Sequence, residues 1–110
     1  MKLDYVKVAT TPEIPVDNIK KVKIGEKEVL IVNVNGNYYA INSRCTHAGG
    51  DLSKGKLQGN VIECPRHHSK FDVRTGKVVS KPKIAFFRPN ISDEQVYQVK
   101  IENEDIMVRI

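Results

Sequence analysis

The two cysteines of this 110-residue sequence each stand close to a histidine. Cys45 and His47 lie in the segment CTHAGG, and after sixteen intervening residues Cys64 and His67 lie in CPRHHS. Thiolates and imidazoles are the side chains that bind zinc and iron–sulfur clusters. The spacing therefore predicts one metal site with four candidate ligands: Cys45, His47, Cys64 and His67.

Several kinds of chemistry could use these four side chains. Cys₂His₂ is a standard set for structural zinc, although zinc fingers generally pair cysteine with cysteine and histidine with histidine. A two-iron cluster suits mixed segments better, because the two thiolates can bind one iron and the two imidazoles the other. Nucleophilic catalysis by one Cys–His pair would leave the second pair without a purpose. A structural zinc module that serves as an interaction surface stays open as the alternative.

The elements that must position these residues are β-strands. Apolar residues alternate with polar ones over most of the chain, and residue pairs typical of tight turns separate the runs. These pairs are Asn35-Gly36, Gly59-Asn60, Thr75-Gly76 and Asn103-Glu104. The pattern predicts an all-β fold, an antiparallel sandwich or barrel, with no long helix. CTHAGG and CPRHHS each follow a predicted strand, so we expect two similar loops that face each other around one ligand.

The chain length indicates a single domain over residues 1–110. We expect a base sheet from residues of about 1–40 and 80–110, with a small cluster-binding subdomain of about 41–79 inserted in it. Residues 87–95 form no clear strand, and a loop at the edge of the sheet is the plain interpretation.

The segment CTHAGGDLSKGKLQGNVIECPRHHSKFDVRTGKVVS resembles the Rieske-type [2Fe–2S] family. The likeness includes C-x-H, a spacer of this length and C-x-x-H, together with Gly-Gly, DLS, CP and FD-x-R-T-G. It implies a Rieske-like fold and a small ferredoxin that carries one electron. It further implies that Cys45 and Cys64 bind the inner iron and that His47 and His67 bind the outer iron. Neutral imidazoles in place of two thiolates make reduction easier than in all-cysteine ferredoxins.

The resemblance also suggests roles for residues around the ligands. Gly49 and Gly50 would let backbone N–H groups approach the cluster sulfides, and Pro65 would stiffen the second loop. Ser69 aligns with a serine that hydrogen-bonds a cluster sulfur in high-potential members. Phe71 stands where those members have a tyrosine, so one such hydrogen bond should be missing. Leu52 would cover the cluster from water or belong to the core.

His68 occupies a position where the family usually has glycine. We therefore expect a positive φ, an exposed side chain and no bond to iron. A sharper hypothesis is that this third imidazole titrates near the cluster and alters the pH dependence of its potential.

Composition and the remaining motifs limit the function. No apolar run reaches the roughly 20 residues of a membrane span, and 6% aromatic residues without tryptophan argue against nucleic-acid binding. Only His68 remains after the four ligands, so the 2-His-1-carboxylate iron of Rieske oxygenases cannot be built. The two additional cysteines of the membrane-bound Rieske subunits are also missing. We expect a cytoplasmic electron carrier, not an enzyme, that serves a reductase and an oxygenase or another oxidoreductase.

The net charge of +5 suggests the kind of partner. Arg44, Lys54, Arg66 and Lys70 lie within or beside the predicted loops. We expect them to form a docking patch for a redox partner with an acidic surface.

Overall fold

The computed structural model describes residues 5–46, 49–82 and 90–109. Within these ranges the chain forms eleven β-strands and two 3₁₀ helices, Thr11–Glu13 and Leu52–Lys54, and no α-helix. The strands are β1 (Tyr5–Thr10), β2 (Ile19–Ile24), β3 (Lys27–Val34), β4 (Asn37–Asn42), β5 (Lys56–Gln58), β6 (Val61–Glu63), β7 (Lys70–Asp72), β8 (Val78–Ser80), β9 (Val96–Tyr97), β10 (Val99–Glu102) and β11 (Asp105–Arg109). Neither of the described helices has the length and apolar character needed to cross a membrane.

The four turns predicted from residue pairs all join neighbouring antiparallel strands. At the β3–β4 turn, Asn35 and Gly36 have φ values of +54° and +90°. This is the conformation in which asparagine and glycine are favoured, because positive φ twists the turn to match the strands. The sequence did not predict the β2–β3 hairpin, which turns at Gly25 with a φ of +62°.

The strands form three antiparallel sheets with the orders β1-β11-β10, β2-β3-β4-β9 and β5-β6-β7-β8. Strand β3 lies inside the second sheet and is buried on both faces. Val29 and Ile31 belong to a core shared with β1 and β11, whereas Leu30 and Val32 belong to the core that contains both cysteines. Burial on both faces explains the unbroken apolar run in β3. The all-β antiparallel fold is therefore confirmed, and its second sheet contributes to two cores.

Candidate metal centre

Each cysteine lies in a short loop that follows a strand. Cys45 comes soon after β4, and Cys64 comes directly after β6. The Cys45 N–H donates to the Gly50 carbonyl (2.6 Å), and the Cys64 N–H donates to the Ser69 carbonyl (2.8 Å). Both hydrogen bonds join a cysteine to the fifth residue after it. The similarity of CTHAGG and CPRHHS therefore corresponds to the same loop closure at two places in the fold.

The residue that closes each loop also contacts the cysteine of the other loop. A Cβ atom built on Gly50 would lie 2.6 Å from the Sγ atom of Cys64 and 3.7 Å from the Cβ atom of Cys45. In return, the Oγ atom of Ser69 lies 3.4 Å from the Sγ atom of Cys45. The two loops thus face each other with a near-twofold pattern of contacts, and Gly50 lies between the cysteines.

The two cysteines are almost completely buried. Cys45 is 2% exposed and Cys64 is 1% exposed, and they do not form a disulfide. His67 is half-buried, and His47 lies outside the described residues. In the described part of the chain, no three Cys, His, Asp or Glu side chains gather around a point where one metal ion could bind. The structure thus brings the two cysteine loops together. The side chains of Cys45, Cys64 and His67 do not converge on one point that could hold a single metal ion.

The donor set and its surroundings fit an iron–sulfur cluster. Thiolates are soft ligands that suit such clusters. The contact between the Gly50 position and the Cys64 sulfur shows that a side chain there would fill the space beside this candidate ligand atom. Cys45 and Cys64 would hold the group from the buried side, and half-buried His67 is placed nearer the surface.

The other residues predicted around the ligands lie at or near the two loops. Ser69 is fully buried, whereas Pro65 is exposed. Gly49 is exposed with a φ of +67°, and Gly50 is buried. Leu52 and Phe71 are fully buried in the same core as the cysteines, so the core role expected for Leu52 is confirmed. The hydrogen bonds of Ser69 and of the glycine N–H groups to cluster sulfur stay predictions.

Asp51 fixes the end of the first loop, a role that the sequence did not reveal. Its carboxylate accepts hydrogen bonds from the Ser53 N–H (2.9 Å) and the Ser43 hydroxyl (3.1 Å), and it pairs with Lys21 of β2 (2.9 Å). Burial raises the pKa of Asp51, but the hydrogen bonds outweigh burial and hold it well below the ordinary value. Asp two residues before Ser is a capping pattern and could have been recognised in DLS. The contact with β2 could not, because thirty positions separate Lys21 from Asp51.

Asp72 and Arg74 of the FD-x-R-T-G motif stabilise the β7–β8 turn. The Asp72 carboxylate accepts hydrogen bonds from the Arg74 backbone N–H (2.9 Å) and from the guanidinium Nε and Nη2 (3.1 and 2.9 Å). The Asp72 carbonyl accepts from the Gly76 N–H (2.7 Å). The Arg74 contact lowers the pKa of Asp72 to about 2. This motif therefore closes the turn that follows the second loop.

His68 has the conformation expected from its place in the motif. Its φ is +64° and its side chain is 57% exposed. Nδ1 lies 2.6 Å from the Glu63 carboxylate, and this contact lowers the pKa of Glu63. The expectation of an exposed side chain with positive φ is confirmed. A role in the pH dependence of the potential stays a hypothesis.

Basic side chains surround the surface of the two loops. Arg44, Lys54 and Arg66 are exposed, and Lys70 is half-buried on β7. A shallow depression of about 340 Å³ separates the loops, lined by Gly49, Gly50, Asp51, Lys54, Pro65 and Arg66. Three of the four cations predicted for the docking patch are thus available to a partner.

The comparison with protein families identifies the family of the chain. A model of the Rieske [2Fe-2S] domain matches residues 4–89, so the chain belongs to the Rieske [2Fe–2S] family. A [2Fe–2S] cluster is accordingly its cofactor. The zinc alternative finds no support in these comparisons.

Individual relatives are ferredoxins of dioxygenase systems. The chain is 36% identical, over all of its length and 99% of the relative, to the ferredoxin component of naphthalene 1,2-dioxygenase/salicylate 5-hydroxylase systems from Ralstonia sp. The ferredoxin of carbazole 1,9a-dioxygenase from Nocardioides aromaticivorans IC177 has a similar structure (TM-score 0.81, 30% identity, 96% of both chains). A structure of reduced oxygenase with oxidized ferredoxin in carbazole 1,9a-dioxygenase also contains a similar chain (TM-score 0.79, 29% identity, 96% of this chain and 92% of the other).

Proposed function

We propose that this protein is a one-electron carrier that passes electrons from a reductase to an acceptor oxidoreductase such as an oxygenase. The observation that carries the proposal is the pair of facing loops with two buried cysteines and the half-buried His67. The relatives named as ferredoxin components of dioxygenase systems support it. When bound, the cluster supplies a couple that gains and loses one electron.

Different residues of the chain would hold the cluster and keep its two loops in place. Cys45 and Cys64 would hold the inner iron, in the same buried core as Leu30 and Phe71, which would keep water away from the thiolates. His47 and His67 would hold the outer iron, and half-buried His67 would then offer a short path for an electron to a docked partner. Gly50 and Ser69 keep the two loops in register.

The proposal covers several further properties. The chain acts as a carrier and catalyses no reaction by itself. Residues of about 41–79 form the unit that holds the cofactor, and the base sheet comes from residues of about 1–40 and 80–110. We place the protein in the cytoplasm, where cysteines serve as ligands rather than in disulfides. Its partner presents an acidic surface to Arg44, Lys54, Arg66 and Lys70.

The test compares two adjacent histidines in purified protein. We expect a reddish-brown wild type with two irons and two sulfides per chain, in accordance with a [2Fe–2S] centre, and a Rieske-type EPR signal after reduction. His67→Gly should lose the cluster. His68→Gly should keep it, because its φ of +64° suits glycine and its side chain points to Glu63.

Electron transfer is then measured by following re-oxidation of the reduced protein on mixing with a purified dioxygenase of a relative's system. The carrier function would be supported if the dioxygenase re-oxidised the reduced wild type and His68→Gly, while cluster-free His67→Gly transferred no electron. A colourless wild type with stoichiometric zinc would contradict the proposal, as would a cluster that survives His67→Gly.

A further inference from the structure

A buried glutamate far along the chain contacts the first cluster loop. Glu94 is 4% exposed, and its Oε2 atom accepts a hydrogen bond of 2.7 Å from the Thr46 N–H. Thr46 is the single residue between the predicted ligands Cys45 and His47. The Thr46 hydroxyl donates a second hydrogen bond of 2.7 Å to the Ser92 carbonyl. Both contacts of Thr46 are therefore made with the segment that precedes β9.

The same segment is anchored to the hairpin that follows the second loop. The Glu94 N–H donates to the Gly76 carbonyl (2.7 Å), and the Asp93 carboxylate accepts from the Val78 N–H (2.9 Å). The backbones of Gly76 and Glu94 pack so closely that a Cβ atom on Gly76 would overlap the Glu94 carbonyl. Glu94 is thus held in place from the β7–β8 turn while its side chain reaches the Cys45 loop.

The Glu94 carboxyl is costly to bury, which argues that it is present for a reason other than packing. Its Oε1 atom has no hydrogen-bond partner among the described residues. Burial raises the pKa of Glu94 to about 7, and only the Thr46 N–H opposes this rise. An apolar side chain would avoid this penalty but would leave the Thr46 N–H without its acceptor.

We propose that Glu94 is a positioning residue for the cluster, which orients the backbone between Cys45 and His47 through the Thr46 N–H. The proposal rests on the function proposed above, because it assumes that Cys45 and His47 bind the cluster. The important property of Glu94 is then the length of its side chain, because a shorter side chain would not bring an acceptor oxygen within hydrogen-bond distance of the Thr46 N–H.

Two conservative variants separate reach from charge. Glu94→Gln keeps an oxygen at the same distance and removes the charge, whereas Glu94→Asp keeps the charge and is one methylene shorter. Asp93→Asn is the matched control, since it removes a charge from the neighbouring residue, which bonds β8 rather than the loop. The measurements at pH 7 are the rate of cluster release to a chelator, the EPR spectrum of the reduced protein, and hydrogen exchange of the peptide over residues 43–50.

We expect Glu94→Asp to release the cluster on the order of tenfold faster, since the lost hydrogen bond is to a carboxylate. Its EPR spectrum should shift, and exchange at Thr46 should accelerate by a similar factor. Glu94→Gln and Asp93→Asn should keep the wild-type spectrum and should release the cluster no faster than wild type. Wild-type rates in Glu94→Asp, or faster release in Glu94→Gln than in Glu94→Asp, would overturn the proposal.

The cluster content of the wild-type protein separates this proposal from the proposed function. If the wild-type protein proved to contain no cluster, the proposed function and the role toward a cluster would both fail. If the wild type contains the cluster and the three variants match it in release, spectrum and exchange, only the role of Glu94 fails.

Discussion

At the scale of single residues, the space beside the Cys64 sulfur leaves no room for a side chain at position 50. Gly50 does not have a positive φ, so alanine meets no backbone strain there, but its Cβ atom would lie 2.6 Å from the Sγ atom. Overpacking of this kind costs about 1–3 kcal/mol and displaces neighbouring groups. We expect Gly50→Ala to lose most of its iron and sulfide, as measured by chemical analysis and by the EPR signal of the reduced protein.

The adjacent glycine supplies the control for this prediction. Among the described residues, the three atoms nearest to a Cβ atom on Gly49 all belong to Arg44, and the nearest, Nε, lies at an ordinary contact distance of 3.5 Å, but the φ of Gly49 is +67°. Gly49→Ala should therefore lower the stability by about 1 kcal/mol through backbone strain and keep the cluster. Equal iron contents in the two alanine variants would show that crowding of Cys64 is unimportant.

Some features of the site could be predicted from single residues and their spacing, and others could not. The loops and their cysteines follow from local spacing, and the positive φ of His68 follows from the glycine expected there. Glu94 could not be found in this way. Its partner Thr46 is 48 positions away, and a glutamate between Asp93 and Gln95 has the appearance of a solvated loop residue. Burial of a polar side chain depends on contacts that only the folded chain specifies.

At the scale of elements, Glu94 connects the Cys45 loop to the β7–β8 turn, and its burial makes this junction sensitive to pH. Its pKa is about 7 in the folded protein and about 4.5 in the unfolded chain. The folded state therefore holds a proton that the unfolded state has released between these values. The free energy of unfolding should fall by at most roughly 3 kcal/mol as pH rises from about 4.5 to 7. Above pH 7 it should level off.

Glu94→Gln tests this dependence because it cannot release a proton. The difference in free energy of unfolding between variant and wild type, from urea titrations at pH 5 to 8, should grow with pH in favour of the variant. Tyr97 of β9 is a titratable neighbour, and its pKa is raised by burial and then by Glu94. It ionises above the tested range, so it does not mask the effect. A difference that stays constant from pH 5 to 8 would contradict a raised Glu94 pKa.

Hairpins were the most predictable elements, whereas the sheet order was not. Asn35-Gly36 and Asn103 specify their turns locally, through positive φ. By contrast, β4 pairs with the two-residue strand β9. A strand this short shows no readable alternation, and its pairing is set by packing over a long sequence separation.

At the scale of the whole molecule, the proposed docking patch lies on the face that carries the two cluster loops. Arg44, Lys54 and Arg66 are exposed there, in a chain with a net charge of +5. Lys7 and Lys100, by contrast, belong to the sheet β1-β11-β10. The sheet β2-β3-β4-β9 separates them from the core that contains the cysteines. Steering of an acidic partner should depend on the first group and hardly on the second, because screening limits each charge to about 10 Å at 0.1 M salt.

Two double variants test whether the position of the charge matters. Lys54→Gln with Arg66→Gln, and Lys7→Gln with Lys100→Gln, each remove two positive charges from the net +5. In stopped-flow mixing with the partner, the first pair should slow second-order electron transfer by about tenfold at low salt, and the second should have little effect. High salt should slow wild type and remove most of the difference. If both pairs slowed the reaction equally, only total charge would matter and the patch would be discarded. A wild-type rate indifferent to ionic strength would argue that apolar contacts around the loops, rather than charge, bring the partners together.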